Sequence, residues 1–133
     1  MEKRIIKYLN DFKKGYDNVT IVESNPENSN LEGIPTPLKD LYKDVLEVEL
    51  PFGRIFMPSI ALEQSKKKPF LPEWFVFGRD NYFSFWLCSY LPDKDGLSFT
   101  YWDHESGNEI EGAVWSDLES FLQELEEEYK SQL

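Results

Sequence analysis

The chain has little of what most protein chemistry is built from. Its 133 residues include one cysteine, Cys88, and one histidine, His104. A lone cysteine excludes an intrachain disulfide, and a lone histidine removes the spaced His and Cys pairs of zinc motifs. No stretch approaches the ~20 consecutive apolar residues of a membrane span. The opening Met1-Glu-Lys-Arg-Ile-Ile-Lys7 has early charge, but no uninterrupted apolar segment or small-residue cleavage site of a secretory signal follows it. A cytoplasmic, reduced setting without a membrane partner is expected. Positive charge is scarce as well, with 14 Lys and Arg against 25 Asp and Glu, a net −11. Nucleic-acid backbones demand the opposite, so no nucleic-acid partner is expected. Gly-x4-Gly-Lys-Ser/Thr, Gly-x-Gly-x-x-Gly and Gly-x-Ser-x-Gly are all missing, and no cofactor or metal is anticipated.

Aromatics, by contrast, are plentiful: 10 Phe, 7 Tyr and 4 Trp. Acidic disordered chains are poor in such residues, so this one is acidic and folded. Its length suits a single domain, residues 1–133. The acidity is uneven, with +3 on residues 2–14 and −14 on the rest.

Local patterns predict the layout. Ile5, Leu9, Phe12 and Tyr16 share one face of a helix over 2–14 that Gly15 can end. Residues 18–23 suit a short strand, and the turn-rich 24–35 a loop. Thr36 is placed to cap a second helix, with Pro37 at its first position and Leu38, Leu41, Tyr42 and Val45 on its buried face. Val48–Met57 is β-rich but broken by Pro51 and Gly53, which favours an edge strand, bend or bulge. Strands follow at Trp74–Phe77, Tyr82–Leu91 and Leu97–Trp102. In the second of these, Phe83, Phe85 and Leu87 face one way and Trp86, Cys88 and Tyr90 the other, as in a strand covered on both sides. Turns are expected at Gly78–Asn81 and Pro92–Gly96, giving an antiparallel meander. Ser116 and Glu119 fit a capping box opening a last helix, with Leu118, Phe121 or Leu122, Leu125 and Tyr129 as its apolar stripe. The expected class is therefore α+β: a mainly antiparallel sheet of about four to six strands, packed by N-terminal, middle and C-terminal helices.

Candidate chemistry is sparse. His104, in Trp102-Asp-His-Glu105, reads as a base or metal ligand flanked by carboxylates, or as a hydrogen-bonded histidine at a strand end. Cys88 with His104 would make a nucleophile and base, but the apolar neighbours of Cys88 disfavour a thiolate. The six acids of the last helix and Lys66-Lys67-Lys68 read as solvated surface. A binding role has more support. Trp102 beside Asp103, His104, Glu105, Glu109 and Glu111 combines an aromatic anchor with carboxylates that steer a basic partner. Equally, Trp102 can face inward while the acids solvate a sheet edge.

The order of segments supplies a further lead. Pro51-Phe-Gly-Arg-Ile-Phe56, Pro69-Phe-Leu-Pro-Glu-Trp-Phe-Val-Phe-Gly-Arg-Asp80, Phe83-Ser-Phe-Trp-Leu-Cys88 and Thr100-Tyr-Trp-Asp-His-Glu105 follow one another before Ser120-Phe-Leu122. This order, over roughly residues 36–125, resembles the SUKH superfamily. That family contains bacterial toxin-immunity proteins and yeast cell-wall regulators of the Smi–Knr type. The second helix departs from the family pattern, opening Ile34-Pro-Thr-Pro37 and lacking the later Asn-Gly. The resemblance implies a largely antiparallel sheet packed by helices and a role in binding rather than catalysis. The expectation is a non-enzymatic immunity protein, a monomer or weak homodimer, that neutralises a cognate basic toxin, such as a nuclease domain. Alternatives are a regulatory interaction module of cell-wall or signalling type, and a hydrolase using His104 with nearby carboxylates.

Overall fold

Stretches rich in β-branched and aromatic residues pair, in chain order, into one antiparallel sheet. In a computed structural model of the chain, residues 4–24, 31–67, 70, 73–81, 84–91, 95–103, 110 and 112–132 are described, with 4–6 by backbone alone. The elements are α1 (Arg4–Gly15), β1 (Thr20–Glu23), α2 (Thr36–Asp44), β2 (Val45–Leu50), β3 (Gly53–Ile55), α3 (Pro58–Ser65), β4 (Trp74–Asp80), β5 (Ser84–Ser89), β6 (Phe99–Asp103) and α4 (Leu118–Ser131). The sheet order is β1-β2-β3-β4-β5-β6, so the expected meander forms with six strands.

Several local expectations shift by a residue or more. Thr36 does not cap α2; it is the first helical residue, and Pro35 holds the cap position with extended backbone. α4 starts one residue later than expected, because Asp117 caps it by accepting the Ser120 N–H at 2.7 Å. An aspartate there both pairs an open amide and favours the positive end of the helix dipole. The broken run 48–57 becomes a hairpin, with Pro51 and Phe52 as its turn and Leu50 facing Gly53. Gly78 does not begin a turn: β4 continues to Asp80 because Gly78–Asp80 pair with β3. The turn expected at Pro92–Gly96 lies partly outside the described residues, as do Lys68 of the lysine run and residues 25–30.

α3 was not anticipated, and the shortness of β3 explains its place. A three-residue β3 leaves the first half of β4, paired with β5 on one side, without a strand neighbour on the other. The Phe56 N–H reaches the Phe77 carbonyl at 2.8 Å, and α3 takes over from there. Ser65, at its end, is buried; its Oγ accepts the Val76 N–H at 2.8 Å and donates to the Ala61 carbonyl at 2.7 Å. A helix hydroxyl thus pairs a sheet amide that no strand reaches, as a buried amide requires.

Both faces of the sheet carry apolar side chains, in unequal amounts. One face meets α1, α2 and α4 in the main core, which includes Leu9, Phe12, Leu38, Tyr42, Val48, Ile55, Phe77, Trp86, Phe99 and Phe121. The other face holds a smaller cluster of Phe70, Trp74, Val76, Leu87 and Trp102. β5 therefore has both faces covered, with Trp86 and Cys88 in the main core and Leu87 on the other side. A bulge between Val76 and Gly78 lets Phe77 and Gly78 succeed one another on the main-core side.

Trp86 lies across the backbone of its neighbours. A Cβ at Gly53 would sit 2.6 Å from its Cζ2 and collide with the Arg79 carbonyl. A Cβ at Gly78 would sit 2.6 Å from its Cε3 and collide with the Arg54 carbonyl. Only glycine permits that approach at either position.

Candidate functional site

The last helix divides its residues by the 3.6 period. Leu118, Phe121 and Leu122 are buried, and Leu125 and Tyr129 are half-buried along the same stripe. Phe121 anchors the helix, its ring meeting those of Phe77, Trp86, Phe99 and Trp115 at centroid distances of 5.2–6.1 Å. That placement turns Glu124, Glu127 and Glu128 to solvent.

Glu126 has a different task. The hydroxyls of Tyr8 and Tyr16 in and just beyond α1 both donate to its carboxylate, each at 3.1 Å, and Lys130 lies 3.6 Å away. Burial, and then Glu126, push the Tyr8 phenol far up, and the same two causes raise Tyr16. Both phenols therefore stay protonated and donating, so Glu126 ties the first and last helices together.

Next to this clasp the surface is aromatic and acidic. Tyr101 of β6 is 40% exposed and stacks on Trp115 with centroids 5.9 Å apart. Burial raises its phenol pKa, followed by Glu128 and then Glu124. Tyr101 pairs across the sheet with Trp86, and Trp86 lines a cleft of about 210 Å³. Phe52, Leu125 and Tyr129 form its other apolar walls, and Asp80 and Glu128 supply carboxylates. Phe52 lies 6.1 Å from Trp86 and 5.9 Å from Tyr129, ring centre to ring centre. Asp80 is held by accepting the Ser84 N–H at 3.0 Å. The Trp86 Nε1 is buried without a hydrogen-bond acceptor among the described residues.

The anticipated anchor is placed elsewhere. Trp102 is only 9% exposed and packs in the smaller cluster, edge-on to Phe70 at 5.5 Å and stacked on Phe85 at 6.4 Å. It fills a core instead of presenting a ring to solvent. Asp103 is half-buried at the end of β6, opposite Ser84. His104, Glu105, Glu109 and Glu111 lie outside the described residues. An exposed aromatic with carboxylates around it does exist one residue earlier, at Tyr101, on the other side of the strand. The pleat decides this: Tyr101 shares the Trp86 side, and Trp102 shares the Phe85 side. Alternation could not reveal it, because both sides of β6 are apolar.

The nucleophile reading of Cys88 fails on burial. The thiol is fully buried, burial pushes its pKa far up, and Sγ lies 3.6 Å from the Ser89 carbonyl. No set of three or more His, Cys, Asp or Glu that could hold a metal occurs among the described residues. Nor is any helix among them long and apolar enough to cross a membrane. Compared with family models, curated proteins and solved structures, the chain matches none.

Proposed function

We propose that this chain is an immunity-type binding protein that docks a basic toxin domain through the acidic, aromatic surface beside α4. The observation that carries the reading is that Glu128, exposed on α4 with Glu124, lines the same cleft as Trp86, whose cross-strand neighbour is the exposed Tyr101. Exposed aromatic area supplies contact energy, and carboxylates around it steer a cationic partner. A net charge of −11 extends that attraction beyond contact range. The order of segments that resembles the SUKH superfamily supports the same reading, as does its binding role there.

Co-expression with the product of the adjacent open reading frame tests it. Rescue of growth and a stoichiometric complex on gel filtration are expected. The association rate should fall with added salt and with Glu124→Lys plus Glu128→Lys. Absence of both rescue and complex would refute the reading.

A further inference from the structure

We infer that the cleft beneath Tyr129 is a socket for one arginine side chain of the basic partner. The inference rests on the reading that the chain binds a basic protein, and gives that surface its specificity element. Three properties of the cleft converge on this occupant.

Its size comes first. At about 210 Å³ it is smaller than the roughly 300–1,000 Å³ of sites for drug-sized molecules and cofactors. A single long side chain is a better match than a free metabolite.

The walls come second. Tyr129 is the half-buried ring of the lining, Phe52 and Trp86 lie buried behind it, and Leu125 adds an aliphatic contact. A planar guanidinium stacks on aromatic faces and is weakly hydrated, so it enters such walls at less cost than a compact ammonium.

Charge is the third. Glu128 stands on the exposed side of α4, and Asp80 lies across the cleft at the end of β4. Carboxylates at an aromatic-walled opening attract a cation and reject an anion. Guanidinium nitrogens can reach a carboxylate oxygen while the plane remains stacked.

The floor supplies a reporter as well. Trp86 is fully buried there, and its indole N–H has no acceptor among the described residues. A cation held in a cleft that this residue lines would shift the N–H signal through its field, without contact.

The test is a titration of the full-length protein with Nα-acetyl-arginine amide, followed by the assigned Trp86 indole N–H signal in a ¹H–¹⁵N spectrum. A saturable shift with a Kd on the order of millimolar is expected for a fragment of this size. The neutral isostere Nα-acetyl-citrulline amide should bind about tenfold more weakly. Glu128→Gln, on an exposed helix face, should weaken arginine binding about threefold while leaving the citrulline value unchanged. An unmoved Trp86 signal overturns the inference, as does equal binding of arginine and citrulline amides or of arginine and lysine amides. These outcomes are separable from the function itself. Rescue of growth with an unmoved Trp86 signal would remove the socket and keep the immunity reading. Arginine-specific binding without rescue would do the reverse.

Discussion

The two faces of the sheet are built from the same strands, yet they solve different problems. One cross-strand row runs Ile21, Val48, Ile55, Gly78, Trp86, Tyr101 and lies under the helices as far as its last member. The adjacent row on the other face runs Thr20, Glu49, Arg54, Arg79, Phe85, Trp102. That second row passes from exposed polar residues to a buried tryptophan within one width of the sheet. Its polar half borders a depression of about 590 Å³ that includes Arg54 and Arg79, and Arg54 pairs with Glu49 at 3.2 Å. The helix face stakes stability on ring packing and close backbone approach. The open face contributes less per residue and can carry charge that the core cannot.

The largest test of this contrast is on the helix face. Phe121→Ala removes a ring shared by four aromatic partners, and a loss of about 3–5 kcal/mol in denaturant unfolding is expected. Gly53→Ala and Gly78→Ala probe the same face from the backbone, and each should cost about 1–3 kcal/mol or more through displacement of Trp86. A Gly78→Ala protein as stable as the parent would mean that the glycine platform is not what fixes Trp86.

The join between α3 and the sheet comes next. Ser65→Ala leaves the Val76 amide buried without its acceptor, for an expected cost of about 1–3 kcal/mol. Ser65→Thr retains an acceptor and should recover part of that loss unless its methyl group collides.

Alkaline titration sharpens the contrast by chemistry. Burial raises the phenols of Tyr8, Tyr42, Tyr90 and Tyr101 and the Cys88 thiol, and burial with Glu126 raises Tyr16. Above the ordinary values, near 9 for the thiol and 10 for phenols, the unfolded chain releases protons that the native chain keeps. Native stability is therefore fully present below pH 9 and declines as pH rises past 9 to 10. A buried phenol such as Tyr42 adds a limiting slope of about 1.4 kcal/mol per pH unit. Tyr8→Phe with Tyr16→Phe should flatten the decline, measured as urea midpoints between pH 8 and 11.

The smallest effect belongs to the open face. Arg54 and Arg79 stand directly opposite each other across β3 and β4, a like-charge pair that costs a few tenths of a kcal/mol. Arg79→Thr should leave stability unchanged or raise it by about 0.2–1 kcal/mol. A clear loss would show that the open face depends on this arginine.

The sequence made the meander legible because its strands are short, aromatic and separated by turn formers. The two-sided burial of β5 was legible because Phe85 and Leu87 alternate with Trp86 and Cys88. The hairpin at Pro51 and Phe52 was not, since among the described residues only glycines take positive φ and this turn lacks that signature. α3 was obscured by weak amphipathicity: of its residues only Ala61 and Ser65 are buried, and Pro58 in its first turn was the sole clear signal. The surface beside α4 was not legible. The aromatic and acidic residues expected at the end of β6 are a buried Trp102, a half-buried Asp103 and residues outside the described ones, and the carboxylates that act on Tyr101 come from α4. Tyr101 was missed because parity on a strand apolar on both sides depends on the bulge and register of its neighbours. The role of Glu126 was invisible because its partners are 118 and 110 residues away along the chain.

That separation bears on the order of folding. Even the longest connections between neighbouring strands, β1 to β2 through α2 and β3 to β4 through α3, are far shorter than the span that the clasp of Tyr8 and Tyr16 on Glu126 must close, which is nearly the whole chain. The sheet should therefore assemble before the first and last helices meet, and Glu126→Gln should speed unfolding while leaving the folding rate nearly unchanged. The clasp then acts as a latch on lifetime: it sets how long the native state persists, not how quickly it is reached.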